Sequence, residues 1–242
     1  MGAQTAENQM RIYMGLFAVD TSMPLITWGP QLMSRFTREL PQTLLGLGVA
    51  TVSNIAWQVD RVEYYGGATV SSGRFWNSGA IALGNYITGN RTLRADPNNP
   101  LFQHEYGHFL QSRASGLRYL FDYGIPSLIS AIAAGRSDIS HDHSLFFTEQ
   151  GANKMAYTYF YNKYGRRLRW NFDSNPIVNE TWLQEFHQNR GYNANDRFLY
   201  RSPTSPTRTP NQPRVAHSVA NQRNDNQRID RGISSDLFTI YR

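Results

Sequence analysis

The sequence predicts an α+β domain in which a small, mostly antiparallel sheet packs on one chemistry-bearing helix and on a second helix that adds a further ligand. Three observations carry that expectation. Short β-rich segments (Val59 to Tyr65, Ala68 to Ser71, Ala80 to Ile87) cluster together with glycines between them. A helix signalled at both ends follows, from Pro100 to Ser115. A second helix-patterned stretch then runs from Thr148 to Tyr164.

Taken in order, the first twenty residues read as a leader or extension. A polar stretch, Gly2 to Gln9, precedes a short apolar run, Ile12 to Val19. That run starts late and lacks a cleavage pattern, so it does not read as a signal peptide. No stretch reaches the ~18 uninterrupted apolar residues of a membrane span. Between Pro30 and Leu45 the residues Leu32, Met33, Phe36, Leu40, Leu44 and Leu45 recur near helical spacing. Pro41 is expected to break or kink that run, giving a helix and then a second short helix or turn, and Gly46 and Gly48 to loosen the chain before Val49 to Val52. Val59 to Tyr65 reads as a strand, Gly66-Gly67 as a turn, and Ala68 to Ser71 as the returning strand. Ala80 to Ile87 alternates in character and reads as one further strand, a candidate edge for pairing with an extended peptide.

Asn99 is a good N-cap, Pro100 fits the first helical position and Gly116 supplies the stop. On the helix between them, His104 and His108 stand four residues apart and so project from one face, one turn apart. That spacing suits two imidazoles on one Zn²⁺. Glu105, directly after the first histidine, is placed to act as general base on a water rather than as a ligand. With no cysteine in the chain, any zinc site must use histidine and carboxylate.

A catalytic zinc needs a third protein ligand. Asp122-Tyr123-Gly124 reads as a loop before a short apolar helix that begins near Pro126. Beyond it, Glu149 falls in the first turn of the Thr148 to Tyr164 helix, with Thr148 as N-cap and Gly165 as stop. Asn153, one turn later on the same face, can accept the ring N–H of a ligand histidine. This layout is similar to that of thermolysin-like peptidases. His141, Asp142 and His143 are rival ligands on a loop that nothing local aims. Tyr157, Tyr161 and His187 are conceivable oxyanion donors, and spacing does not select among them. Trp182, Phe186 and His187 fall on a further helix expected to pack on the domain.

The strings LPQTLLGLGVATVSN, VDRVEYYGGATV, ALGNYITGN, HEYGHFLQS, GIPSLISA and TEQGANKMAYTYF, spread from about Ser34 to Tyr161, resemble the C-terminal metallopeptidase-like domain of some bacterial Rhs-repeat proteins. That domain is a module of polymorphic toxins. The resemblance implies a zincin-like fold of the gluzincin type, with its carboxylate ligand matching Glu149 and its following Ala-Asn matching Ala152-Asn153. It also implies a protein or peptide substrate, delivery at the tip of a larger secreted protein, and an immunity protein as partner. This chain carries no Rhs repeats and ends in a long basic tail.

The domain organisation read from the sequence is a leader or extension over residues 1–20, a zincin-like metallopeptidase domain over 21–200 and a polar, basic, disordered tail over 201–242. The net charge of +6 does not by itself point to nucleic acid, because it is concentrated late. From Asp196 to Arg242 there are eight arginines against four aspartates, in a Ser/Thr/Pro- and Asn/Gln-rich context that cannot bury a core. The expected function is zinc-dependent peptide hydrolysis: His104, His108 and Glu149 bind the metal, Glu105 is the base and Asn153 orients a ligand ring. Two alternatives stay open. One is a zinc-binding recognition module without catalysis; the other is a polyanion-binding protein acting through the Arg-rich tail.

Overall fold

The computed structural model describes residues 2–74, 79–134 and 142–189. His141 and the 201–242 tail lie outside the described residues. The chain is α+β, with a four-stranded sheet between two helical layers.

Helix α1 (Gly2–Met14) lies against strand β1 (Val59–Tyr65). Ile12 is fully buried, and Asn8 donates from Nδ2 to the Val59 carbonyl at 3.0 Å. The expected extension is therefore packed onto the sheet. Helix α2 (Trp28–Arg35) ends in a buried guanidinium that donates to the Leu16 and Gly67 carbonyls. The run divides before Pro41 as expected, and Pro41 falls in the first turn of helix α3 (Leu40–Ile55), which is long instead of short; a proline in the first turn forfeits no helical bond. Gly46 and Gly48 lie inside α3, and Gly46 lets it approach the Leu83 carbonyl closely.

The β1 strand turns through Gly66 (φ 54°) and Gly67 (φ 85°) into β2 (Ala68–Gly73), a two-residue turn with positive φ at both positions, as right-twisted hairpins prefer. A register shift between Val59 and Arg61 puts Val59 and Val62 in the same layer, where strict alternation would separate them. The stretch read as one strand is a hairpin of β3 (Ala80–Leu83) and β4 (Tyr86–Asn90). Alternation alone does not reveal the turn at Gly84-Asn85. The strand order is β1-β2-β4-β3. Two of the three pairings are antiparallel, but β2 and β4 run parallel, so the sheet is mixed.

Helix α4 (Pro100–Ser115) has the expected bounds, with Asn99 Oδ1 accepting from the Phe102 N–H at 2.9 Å. A π-helical turn (Leu120–Gly124) leads into helix α5 (Ile125–Ala134). Helix α6 (Phe147–Tyr164) starts one residue earlier than expected, with Phe146 rather than Thr148 at the cap. Helix α7 (Glu180–Gln188) carries Trp182, Phe186 and His187.

The larger core fills the space between the sheet and α4/α6, from Val70, Ile87, Phe102, Tyr106, Phe109, Met155 and Phe160 among others. A second core, with Ile12, Ala50, Val59, Val62 and Tyr86, joins the opposite sheet face to α1 and α3. A third, aromatic cluster of Tyr157, Tyr161, Ile177, Leu183 and Phe186 seats α7 on α6. Among the described residues no helix is long and apolar enough to cross a membrane.

The α4–α6 contact is the most extensive one in the described chain, and Gly107 sits at its crossing. A Cβ there would overlap the Ala152 backbone carbonyl. Gly107→Ala should therefore push the two helices apart and cost about 1–3 kcal/mol of stability. Denaturant melts beside metal titration would check this, with both stability and metal affinity expected to fall.

Candidate metal centre

The α4–α6 crossing sets His104 and His108 on one helix against Glu149 on the other. Nε2 of His104 and Nε2 of His108 each lie 3.0 Å from the same carboxylate atom, Oε2 of Glu149. The three donor atoms all fall within 4.8 Å of one another, and Glu149 is 1% exposed.

Each ring is held from behind by a side-chain amide whose orientation is fixed independently. Asn153 donates from Nδ2 to the Pro176 carbonyl at 2.9 Å, so its Oδ1 faces His104 Nδ1, 2.9 Å away. Gln111 donates from Nε2 to the Thr148 carbonyl at 2.8 Å, so its Oε1 faces His108 Nδ1, also at 2.8 Å. Pro176 is itself placed by the segment after α6, which folds back onto α4. There Gln103 Nε2 donates to the Arg169 carbonyl and Asn175 Nδ2 to the Pro100 carbonyl, each at 2.8 Å.

An amide oxygen only accepts, so each histidine must carry its proton on Nδ1. In the neutral tautomer both Nε2 atoms then present lone pairs to a carboxylate oxygen. Three acceptors facing one another in a buried space need either extra protons on the rings or a cation among them. Protonation is the outcome without an ion. Burial alone would lower the His104 imidazole, but its hydrogen bond to Glu149 and the charges of Glu105 and Glu149 push it up to about 9. His108 is raised in the same way, its burial outweighed by the charge of Glu149. Burial would raise Glu149, yet His108 and His104 hold it well below the usual carboxylate range.

The donor set also suits a metal ion. Ligands at zinc bond lengths on one tetrahedral ion stand about 3.3 Å apart, close to the 3.0 Å that separates each Nε2 from Oε2. The second carboxylate oxygen, Oε1, is taken by the hydroxyls of Ser127 (2.6 Å) and Thr148 (2.8 Å), which leaves Oε2 for the rings. Thr148 thus serves the carboxylate instead of capping the helix.

Glu105 is buried beside this group. Burial raises its carboxyl, opposed by the charges of His104 and His108 and by a backbone hydrogen bond from Ala82. Ala82 lies on β3, the edge strand next to α4. In the β3–β4 ladder its backbone groups point away from β4, and its carbonyl accepts from the Tyr119 hydroxyl at 3.1 Å. The sheet edge is therefore occupied at Ala82 by two side chains of the site.

Of the rival ligands, Asp142 spends its carboxylate on Ser144, accepting from N at 3.0 Å and Oγ at 2.7 Å. His143 does come close: its Nε2 lies 3.6 Å from Glu149 Oε2 and its Nδ1 2.9 Å from Ser130 Oγ. It falls outside the group of mutually close donor atoms. Tyr157, Tyr161 and His187 belong to the third aromatic cluster, where the Tyr157 hydroxyl and His187 Nε2 are 3.1 Å apart. Sequence reasoning missed Gln111, although it lies one helical turn beyond His108. It also missed Ser127 and Ser130, which only the placement of α5 brings to the site. That helix turns its serines inward and leaves Leu128, Ile129 and Ile132 exposed.

Compared with known proteins, the chain matches no family model, no curated protein and no solved structure.

Replacing either amide should free a ring. Asn153→Ala and Gln111→Ala are each expected to weaken metal binding by about 10–100-fold, measured by competition with a chromogenic chelator. The metal-free protein should also show a stability optimum in mildly acid solution. The contribution of Glu149, whose folded pKa is depressed, is present above its ordinary 4.5 and lost as pH falls below that. That of His104 is complete below 6.5 and lost as pH rises through about 9. Thermal melts across pH should therefore peak between 4.5 and 6.5, and saturating Zn²⁺ should remove the alkaline decline by replacing the protons.

Proposed function

We propose that this chain is a zinc-dependent peptide hydrolase, with His104, His108 and Glu149 holding the ion and Glu105 as general base. The observation that carries the reading is Glu105 itself: a buried carboxylate, its pKa raised by burial, set between the edge strand and a group of side chains able to bind a metal. A general base works best with a pKa drawn toward the working pH, and burial moves Glu105 in that direction. Bound at this group, a zinc ion would supply Lewis acidity toward a carbonyl oxygen and make water more acidic. Glu105 accepts the proton as the water oxygen bonds to the peptide carbonyl carbon. It then gives that proton to the amide nitrogen as the carbon–nitrogen bond breaks.

The amides of Asn153 and Gln111 keep the two imidazoles in one tautomer throughout. Burial of the carboxylates by α5, α6 and β3 limits competing water. The β3 edge supports an extended peptide as substrate, entering where Ala80 presents its backbone. On this reading the domain is zincin-like, and its resemblance to the Rhs-associated toxin module extends to delivery by a larger protein and to an immunity protein as partner.

Glu105→Gln keeps the shape of the side chain and removes its basicity. It should retain one zinc per chain and lower kcat by about 10²–10⁴-fold on a fluorogenic peptide library. Hydrolysis at the wild-type rate after this change, or hydrolysis that persists in excess chelator, rules the assignment out.

A further inference from the structure

Resting on the hydrolase reading above, we propose that His143 is a catalytic residue that contacts the substrate carbonyl oxygen and donates Nε2–H to the negative charge developing there.

The placement is specific. His143 opens a short turn, His143–Leu145, whose start is capped by the side chain of Asp142. Two backbone bonds close the turn, Leu145 N–H to the Asp142 carbonyl at 3.2 Å and Phe146 N–H to the His143 carbonyl at 3.0 Å. Gln150 Nε2 ties it to α6 through the Ser144 carbonyl at 2.8 Å. The ring thus has a fixed base, although the turn lies in a connection where no local signal aimed it. Its side chain is 31% exposed against 1% for Glu149, so it can be reached from solvent, as a group that touches substrate must be.

Its tautomer follows from its neighbours. Nε2 looks toward Glu149 Oε2 at 3.6 Å and Nδ1 toward Ser130 Oγ at 2.9 Å. A lone pair on Nε2 would face a carboxylate oxygen, whereas a proton there is favoured by it. The Ser130 hydroxyl can supply the proton that Nδ1 then lacks. Ser130 is accordingly a positioning residue, and the donor it sets faces the metal-binding group.

Two competing roles fit less well. A fourth metal ligand would have to stand near all three donor atoms, yet His143 lies outside their 4.8 Å group. The other hydroxyl near both carboxylates, that of Tyr119, is committed to the Ala82 carbonyl. A preorganised donor aimed at a developing oxyanion is worth about 10²–10³-fold in kcat.

The test uses the zinc-loaded full chain as wild type, His143→Ala, His143→Gln and Ser130→Ala. It measures zinc content and affinity, kcat and KM on a peptide, and binding of a phosphonamidate peptide whose tetrahedral oxygen imitates the adduct. His143→Ala should keep its zinc and its affinity for it, lose about 10²–10³-fold in kcat with KM little moved, and bind the phosphonamidate more weakly in proportion. His143→Gln, which retains an N–H donor, should recover part of both losses, and Ser130→Ala should show a smaller loss in kcat alone. Loss of zinc from His143→Ala would make the residue a ligand and overturn the proposal. Unchanged kcat and phosphonamidate affinity would overturn it as well. A wild type that binds the phosphonamidate through His143 but hydrolyses nothing defeats the hydrolase reading and leaves this contact standing.

Discussion

Everything at the centre of this molecule depends on a carboxylate that has been taken out of water. Glu149 is buried, and an isolated carboxylate in that position would cost several kcal/mol. Two imidazoles and two hydroxyls compensate it, and they reach it because α4 and α6 approach so closely that position 107 has no room for a side chain. The close crossing and the charge arrangement require each other. Without the glycine the donors separate, and without the donors the buried charge opposes the crossing.

Around that contact, each polar atom has one orientation available to it. The amide of Asn153 is set by a carbonyl from the segment after α6, and that of Gln111 by the carbonyl just before Glu149. Neither amide can turn over without breaking a buried bond. The rings are therefore fixed in tautomer as well as position, and the acceptor atoms left over point at one another. Such a convergence of lone pairs needs positive charge among them, which protons on the rings supply in the metal-free chain and which a bound metal ion could supply in their place.

What the sequence made legible was local. The α4 helix could be bounded because Asn99, Pro100 and Gly116 act within a turn of their own positions, and the β1–β2 hairpin because two adjacent glycines permit its turn. The expected pairing of Asn153 with a histidine ring of α4 is found in its contact with His104, since both residues sit at fixed spacings on helices. What escaped was tertiary. The helix after Pro41 runs through Gly46 and Gly48, which locally signal a loosened chain, because α3 packs against the sheet. The Gly84-Asn85 turn was hidden by alternation that continues through it. Thr148 looked like a cap until Glu149 claimed its hydroxyl. His143 was one of three loop candidates with nothing to aim it, and its direction comes from Ser130 on another helix.

The contact of Glu105 with the backbone of Ala82 has a mechanical meaning. It couples the carboxylate to a strand held on one flank only, so the side chain follows any slippage of β3 along its neighbour. Forces applied to the rim of the sheet, such as those from a second polypeptide laid beside it, are thereby transmitted to that carboxylate without passing through the helix that bears it.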